Sequence, residues 1–215
     1  MTYLVNHAAR FTVDPRRPHT RMLRNVGRYL IEHRQGLIMQ PDVKRGFEIF
    51  VDADFVGQYD AQDKQNRDNY RSRHGFLITY HGVALHWKSR LQTTIALSTT
   101  EAEFLALSDA AREINPFLDF LSEIYQIIPD LPLASSNPVC HLFEDNRGAL
   151  ALATENKFRA RTKHIGIKFY HFRDLVTTGR LRLHAISTHD QLADIFTKPL
   201  KNPTFATLRK KIMGW

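Results

Sequence analysis

Residues 97–107 read LSTTEAEFLAL, a polar cap followed at once by an apolar run, which indicates the start of a helix. Ser98 and Glu101 have the spacing of a capping box, in which a hydroxyl and a carboxylate each accept a hydrogen bond from a backbone N–H at the helix start. Glu103 is not needed for this cap and falls at the start of the apolar face. Because an unpaired carboxylate is costly to bury, we expect a cation to meet Glu103.

The composition is that of a globular chain with a surplus of basic residues. The 215 residues are 43% hydrophobic and 24% charged, and their formal net charge is +8. This charge favours a polyanionic partner such as nucleic acid, although solubility alone explains a high pI about as well. The lone cysteine, Cys140, cannot form an internal disulfide and suits a reducing, intracellular compartment. No apolar run approaches the roughly 18 residues that span a bilayer, so we expect no membrane partner.

The first half of the chain reads as a helix followed by a strand meander. Apolar residues recur at helical spacing over 22–30 and alternate with polar ones over 47–54. His81-Gly82 separates the two halves of a hairpin. A third short strand at 95–97 would complete the meander before the helix that follows Ser98.

Later elements alternate between helix and strand. We expect the helix that starts at Thr99 to end near Ile114 and Pro116 to open a second segment. Downstream the pattern predicts a strand at 139–145, helices at 147–154 and 165–179, a strand at 180–187, a capping box at 188–191 that opens a helix, and a basic helix from 202. This order makes an α/β fold, one mixed sheet flanked by helices.

Four acids fall at strand ends or helix starts, where functional groups of open sheets collect: Asp52, Glu103, Asp145 and Asp194. Ionised carboxylates held together require a divalent cation, and Mg²⁺ prefers oxygen ligands. Two such ions about 4 Å apart would activate a water and stabilise the leaving oxygen of a phosphoryl displacement. Taken singly, each aspartate is also explained as a turn or exposed helix residue, and the spacing does not select these four over their acidic neighbours.

Six sequence blocks stand in order between residues 47 and 200. They are VDAD (51–54), WKS (87–89), ALSTTEAEF (96–104), EDN with ALA (144–146 and 149–151), RTKHI (161–165) and QLADIFTKPL (191–200). Together they resemble the ribonuclease H (RNase H) domain of copia-type retrotransposon Pol polyproteins. Residues 3–40, with AARF (8–11) and DPR (14–16), resemble the end of the reverse transcriptase that precedes this domain.

The resemblance implies an RNase H-like fold, a five-stranded mixed sheet in the order 3-2-1-4-5 preceded by a helical segment. It implies two Mg²⁺ ions, which Mn²⁺ can replace, and hydrolysis of the RNA strand of an RNA–DNA hybrid. By motif, the catalytic and metal-binding residues fall on Asp52, Glu103, Asp145 and Asp194. Arg147 stands where the family usually has glutamine, and it does not touch the metal ligands.

A catalytic histidine and a set of nucleic-acid contacts follow from the same resemblance. Many RNases H carry a mobile histidine shortly before the last aspartate, and His189 could take this part, although the copia pattern more often has an acid there and an exposed helix residue is the alternative. Residues 157–173 contain no acid, and the densest part of this stretch holds the expected phosphate contacts, Arg161, Lys163 and His164. A solvated loop and helix face is the other interpretation of this stretch.

The expected domains are 1–42, a remnant of the reverse transcriptase thumb and connection; 43–200, the RNase H domain; and 201–215, a basic helix. We therefore expect a piece of a longer chain, with the reverse transcriptase portion of the same polyprotein as a partner. Two alternatives remain. One is a catalytically silent RNase H-like module that binds nucleic acid. The other is an integrase-type transposase core, whose last carboxylate is a glutamate on a late helix.

Overall fold

Five strands form one mixed sheet in the order β3-β2-β1-β4-β5. The computed structural model describes residues 1–61, 64–130, 136–154 and 166–215. The strands are β1 (Phe47–Asp54), β2 (Arg73–Tyr80), β3 (Val83–Leu91), β4 (Cys140–Glu144) and β5 (Leu181–Ala185). The first three strands pair antiparallel, whereas β1 pairs parallel with β4 and β4 with β5. This order confirms the predicted RNase H-like fold.

Helices cover both faces of the sheet, and a helical segment precedes it as predicted. They are α1 (Thr2–Ala9), α2 (Arg17–Glu32), α3 (Thr99–Ile127), α4 (Arg147–Thr154), α5 (Gly166–Thr177), α6 (Asp194–Thr197) and α7 (Asn202–Met213). One core lies between the sheet and α3, α4 and α5. The other lies between the opposite face of the sheet and α6 and α7. No helix in the described part of the chain is long and apolar enough to cross a membrane.

The helix after Ser98 does not end at Ile114, so that prediction is wrong. Helix α3 continues through Pro116 to Ile127. Ile114 and Leu118, on either side of the proline, are at most 1% exposed and pack into the same core. Burial of this continuous face outweighs the roughly 3 kcal/mol that a proline costs inside a helix.

The predicted hairpin is confirmed, but the short strand at 95–97 is not formed. His81 and Gly82 have φ values of 52° and 78°, which suits a two-residue turn with both central residues left-handed. Strand β3 instead runs on to Leu91, and the chain then turns away because Gln92 donates to the carbonyl of Ala102 at the start of α3. Residues 92–98 then form the connection from β3 to α3.

The predicted capping box at 188–191 is also not formed. Thr188–Asp190 makes a single 3-10 turn capped by Ser187, and the following helix, α6, begins only at Asp194. Gln191 is fully buried, and its side-chain amide donates to the carbonyl of Val51 in β1 at 2.8 Å instead of capping a helix. The buried amide thereby ties this loop to the strand that carries Asp52.

The N-terminal helix α1 packs against the sheet through a buried guanidinium. Arg73 in β2 is 1% exposed, donates to Asn6 at 2.6 Å and to Ser89, and lies over the ring of Tyr3. These contacts cross the expected boundary near residue 42. The division into residues 1–42, 43–200 and 201–215 stays a prediction.

Candidate active site

Three of the predicted ligands meet at one end of the sheet. Asp52, Glu103 and Asp145 each offer an oxygen, and these three atoms lie within 4.8 Å of one another. Strands β1 and β4 are parallel, with Phe50 beside Phe143, and each aspartate comes two residues later. The parallel register therefore brings Asp52 and Asp145 to the same edge, as the carboxyl ends of parallel strands do.

The start of α3 brings Glu103 to the same edge. The Ser98 hydroxyl accepts from the Glu101 N–H at 3.2 Å, which confirms the Ser98 half of the predicted capping box. The Glu101 carboxylate accepts from the Leu97 N–H at 3.1 Å, one residue before the predicted donor. Glu103, two residues on, is 4% exposed. Its Oε2 has no hydrogen-bond partner among the described residues. Glu101 therefore stabilises the helix start, and Glu103 is left for the cluster.

The cluster is electrostatically unfavourable when it holds no metal ion. Burial raises the pKa of Glu103, and the carboxylates of Glu144, Asp52 and Asp145 raise it further. Burial also raises the pKa of Asp52, against the opposing effect of Lys198. Both pKa values rise for the same reason: burial removes the water that would stabilise negative charges held close together.

Glu144 is a fifth carboxylate beside the cluster that sequence reasoning did not select. It is completely buried, and burial raises its pKa. One oxygen accepts from the Asn146 N–H at 2.9 Å, whereas Oε2 has no partner among the described residues. The strand pattern contained a signal for it, because Cys140, Leu142 and Glu144 alternate on the buried face of β4.

Asp194, the fourth predicted ligand, is joined to Asp52 through a lysine. The Lys198 ammonium lies 2.8 Å from Asp194 Oδ1 and 3.6 Å from Asp52 Oδ1. Asp194 is buried, and its burial, together with Asp52, raises its pKa to about 6. Thr197 donates its hydroxyl to Asp52 from the same short helix. Sequence reasoning missed Lys198 and Thr197, although their spacing of four and three residues from Asp194 places them on one helix face.

Two glycines let the elements of the site approach closely. A Cβ on Gly148 in α4 would lie 2.8 Å from Thr100 Oγ1 at the start of α3. A Cβ on Gly75, the β2 partner of Asp52, would lie 2.5 Å from Cβ of Phe196 in α6. A larger residue at Gly148 would press α4 against the start of α3, and one at Gly75 would push α6, which holds Asp194, away from β2.

The remaining predicted site residues are placed only in part. His189 is exposed on the 3-10 turn, and its neighbour Thr188 donates to Asp145 Oδ2 at 2.6 Å. This contact brings the backbone at His189 beside the cluster. The expected phosphate contacts, Arg161, Lys163 and His164, lie outside the described residues.

The donor set fits a hard divalent cation. Asp52, Glu103 and Asp145 offer only carboxylate oxygens, the ligands that Mg²⁺ and Mn²⁺ prefer. The buried, unpartnered Oε2 of Glu103 is the atom that most needs a cation. Lys198 supplies a positive charge to Asp52 and Asp194, whereas the cation expected at Glu103 stays a prediction.

Comparison with known proteins identifies relatives over the whole chain. No family model matches the sequence. The chain is 29% identical over 213 residues to the retrovirus-related Pol polyprotein from transposon RE1 of Arabidopsis thaliana, and 30% identical over 215 residues to that from transposon RE2 of the same plant. These alignments cover 99% of the chain but only 13% and 14% of the relatives, so the chain spans about one seventh of their length.

Among solved structures, RNase H1 of the halophilic archaeon Halobacterium salinarum NRC-1 aligns with a TM-score of 0.47 and 12% identity. This alignment covers 70% of the chain and 93% of that structure. The family of the chain is indicated by its sequence relatives and not by this structural alignment. Over about 99% of its length, its homologues are copia-type retrovirus-related Pol polyproteins.

Proposed function

We propose that this chain carries the ribonuclease H activity of a copia-type retrotransposon Pol polyprotein and hydrolyses the RNA strand of RNA–DNA hybrids. The observation that carries the proposal is the convergence of Asp52, Glu103 and Asp145 within 4.8 Å at one end of a 3-2-1-4-5 sheet. Three buried or half-buried carboxylates have no packing role that would offset their repulsion. Their arrangement favours an enzyme over a silent binding module.

The proposed metal ligands are Asp52, Glu103, Asp145 and Asp194. Two Mg²⁺ ions held there would supply a nucleophilic water and stabilise the leaving oxygen of the phosphodiester. The protein's own part is to present these oxygens in a fixed arrangement. The Thr197 hydroxyl on Asp52 and the Thr188 hydroxyl on Asp145 each hold one carboxylate in place.

Lys198 has a proposed role in the same site. Its ammonium neutralises Asp52 and Asp194 and so keeps the folded chain stable before metal and substrate arrive. A hard cation on these oxygens competes with the ammonium for them. We assign His189, beside the Thr188–Asp145 hydrogen bond, to moving a proton or helping product leave.

The substrate follows from the same chemistry. An RNase H senses 2′-hydroxyls through the minor groove of the A-like hybrid and holds the backbone by its phosphates. We assign phosphate contacts to Arg161, Lys163 and His164. The proposed partner is the reverse transcriptase portion of the same polyprotein, to whose end the segment 1–42 would belong.

The test is cleavage of an end-labelled RNA–DNA hybrid by the full 215-residue chain in Mg²⁺ or Mn²⁺. We expect Asp145→Asn to lose at least 100-fold in rate, because it removes one charged ligand. The matched control is Asp119→Asn, which removes an exposed carboxylate of α3 paired with Arg180 and should keep wild-type activity.

Two outcomes would contradict the proposal. Well-folded protein that binds the hybrid and never cuts it would establish the silent module instead. Equal activity of Asp145→Asn and wild type would show that the carboxylate cluster is not the active site.

A further inference from the structure

We propose that the outer face of α2 is a second contact surface for nucleic acid, which holds the phosphates of a duplex engaged at the carboxylate site. This inference rests on the proposed function for its ligand but uses a different part of the molecule. The surface is the arginine stripe, defined as Arg17, Arg21, Arg24 and Arg28.

The stripe lies on the exposed face of α2. Its four arginines fall within an arc of about 60° on the helix, opposite Val26, the buried residue of α2. All four are exposed. Since the stripe spans eleven residue steps, it is about 16 Å long, which is several phosphate spacings of a nucleic-acid strand.

The charges of the stripe are not compensated within the described residues. None of the four arginines takes part in an ion pair there, whereas neighbouring Arg16 pairs with Asp14. The first turn of α2 has no acidic residue, and the one acid in the helix, Glu32, is its last residue. Positive charge is thus concentrated on one unpaired face.

This arrangement weakens the helix, so a purely solvating face does not explain it. Arg17–Arg21 and Arg24–Arg28 are like-charge pairs four residues apart, which repel. Arg17, the first residue of α2, also stands at the helix end where the dipole favours negative charge. A soluble surface needs mixed charges, whereas a row of guanidinium groups matches a row of phosphates.

The stripe is linked through the α1 region to the loop that follows β1, the strand that carries Asp52. Gln58, in the loop that follows β1, contacts His7 and Arg10 of the α1 region. Phe11 then stacks on His19 in the first turn of α2, with ring centroids 3.8 Å apart. A chain of packed contacts therefore connects the loop after Asp54 to the start of the stripe.

The experiment measures binding of a labelled 24-base-pair hybrid by fluorescence anisotropy across a salt series, in EDTA, with the full chain. The stripe variant is Arg21→Gln/Arg24→Gln/Arg28→Gln. Its matched control is Lys44→Gln/Lys201→Gln/Lys210→Gln, which removes the same charge from exposed positions elsewhere. Circular dichroism of both variants checks that α2 is retained.

We expect the stripe variant to lower the slope of log K against log salt by about 2.7, because each lost phosphate contact removes roughly 0.9. Affinity near 0.15 M salt should fall on the order of 100-fold, equally for hybrid and for duplex DNA, since phosphate contacts carry no sequence or sugar information. The control variant should change the slope much less.

A slope and affinity equal to the control's would overturn the inference and leave an acidic protein surface as the occupant of the stripe. That result is separable from failure of the proposed function. Wild-type chain that cuts the hybrid while the stripe variant binds it normally contradicts only the stripe. Wild-type chain that neither binds nor cuts the hybrid would overturn both proposals.

Discussion

Substituting Glu103 by glutamine should make the metal-free protein more stable at neutral pH. Burial and the neighbouring carboxylates raise the pKa of Glu103 in the folded state, whereas the unfolded chain ionises near 4.5. A carboxyl whose folded pKa is raised contributes stability below 4.5 that is lost as pH rises toward the folded pKa. At about 1.4 kcal/mol per pH unit, the wild type has lost roughly 3 kcal/mol by pH 7.

Glu103→Gln keeps the shape of the neutral acid and does not titrate. The side-chain amide places an N–H donor where Oε2 has no hydrogen-bond partner, which costs about 1 kcal/mol. The expected net gain in the free energy of unfolding is therefore about 2 kcal/mol at pH 7. The assay is urea unfolding in EDTA at pH 5, 6, 7 and 8, with the difference between variant and wild type growing with pH. Adding Mg²⁺ should stabilise the wild type and leave the variant nearly unchanged.

The matched control is Glu101→Gln, on the same helix turn. Glu101 accepts from the Leu97 N–H at the positive end of the helix dipole, so its neutralisation should cost about 0.3–1 kcal/mol. The two glutamines should therefore change stability in opposite directions. A Glu103→Gln protein less stable than wild type at pH 7 in EDTA would refute this reasoning.

Three further predictions concern Lys198, the buried His74 and the exposed His189. Lys198→Met should lower the metal-free melting temperature and raise the affinity for Mn²⁺, measured by calorimetry, because it removes the ammonium that competes for Asp52 and Asp194; unchanged affinity would argue against that competition. Burial lowers the pKa of His74 to about 4. Between pH 6.5 and 4.5 the unfolded chain therefore binds a proton at this residue that the native chain does not bind. The wild type should lose about 2 kcal/mol over that interval and His74→Gln much less, and parallel pH profiles in urea unfolding would contradict the assignment. His189→Ala should lower the turnover number and flatten its pH profile with little change in KM; a change in KM alone would make His189 a binding residue.

Much of the site was predictable because its signals are local. The cap formed by Ser98 and Glu101 requires a spacing of three residues, and that spacing separated Glu101 from Glu103 before any contact was known. The hairpin at His81-Gly82 is equally local, since two left-handed residues specify the turn. The order of the strands followed from resemblance to a family, which periodicity alone does not supply.

The errors came where distant contacts outweigh local preference. Pro116 is a helix breaker by its own chemistry, yet α3 continues because Ile114 and Leu118 bury one continuous face. Gln191 has the spacing of a cap residue, but its amide reaches Val51, 140 residues earlier in the chain. A sequence pattern of a few residues contains neither the core that α3 packs against nor the carbonyl of Val51.

By itself, the sequence determined which residues are acidic, the type and order of most helices and strands, and that Glu103 is left over by its cap. Only the tertiary structure decided which carboxylates share one site. The parallel pairing of β1 with β4 places Asp52 beside Asp145, and the packing of α3 on the sheet brings Glu103 to both. It also decided that Lys198 lies between Asp52 and Asp194. The physical reason is range: a cap acts within one helical turn, whereas a carboxylate cluster is made by strands and helices whose positions depend on the packing of the whole sheet.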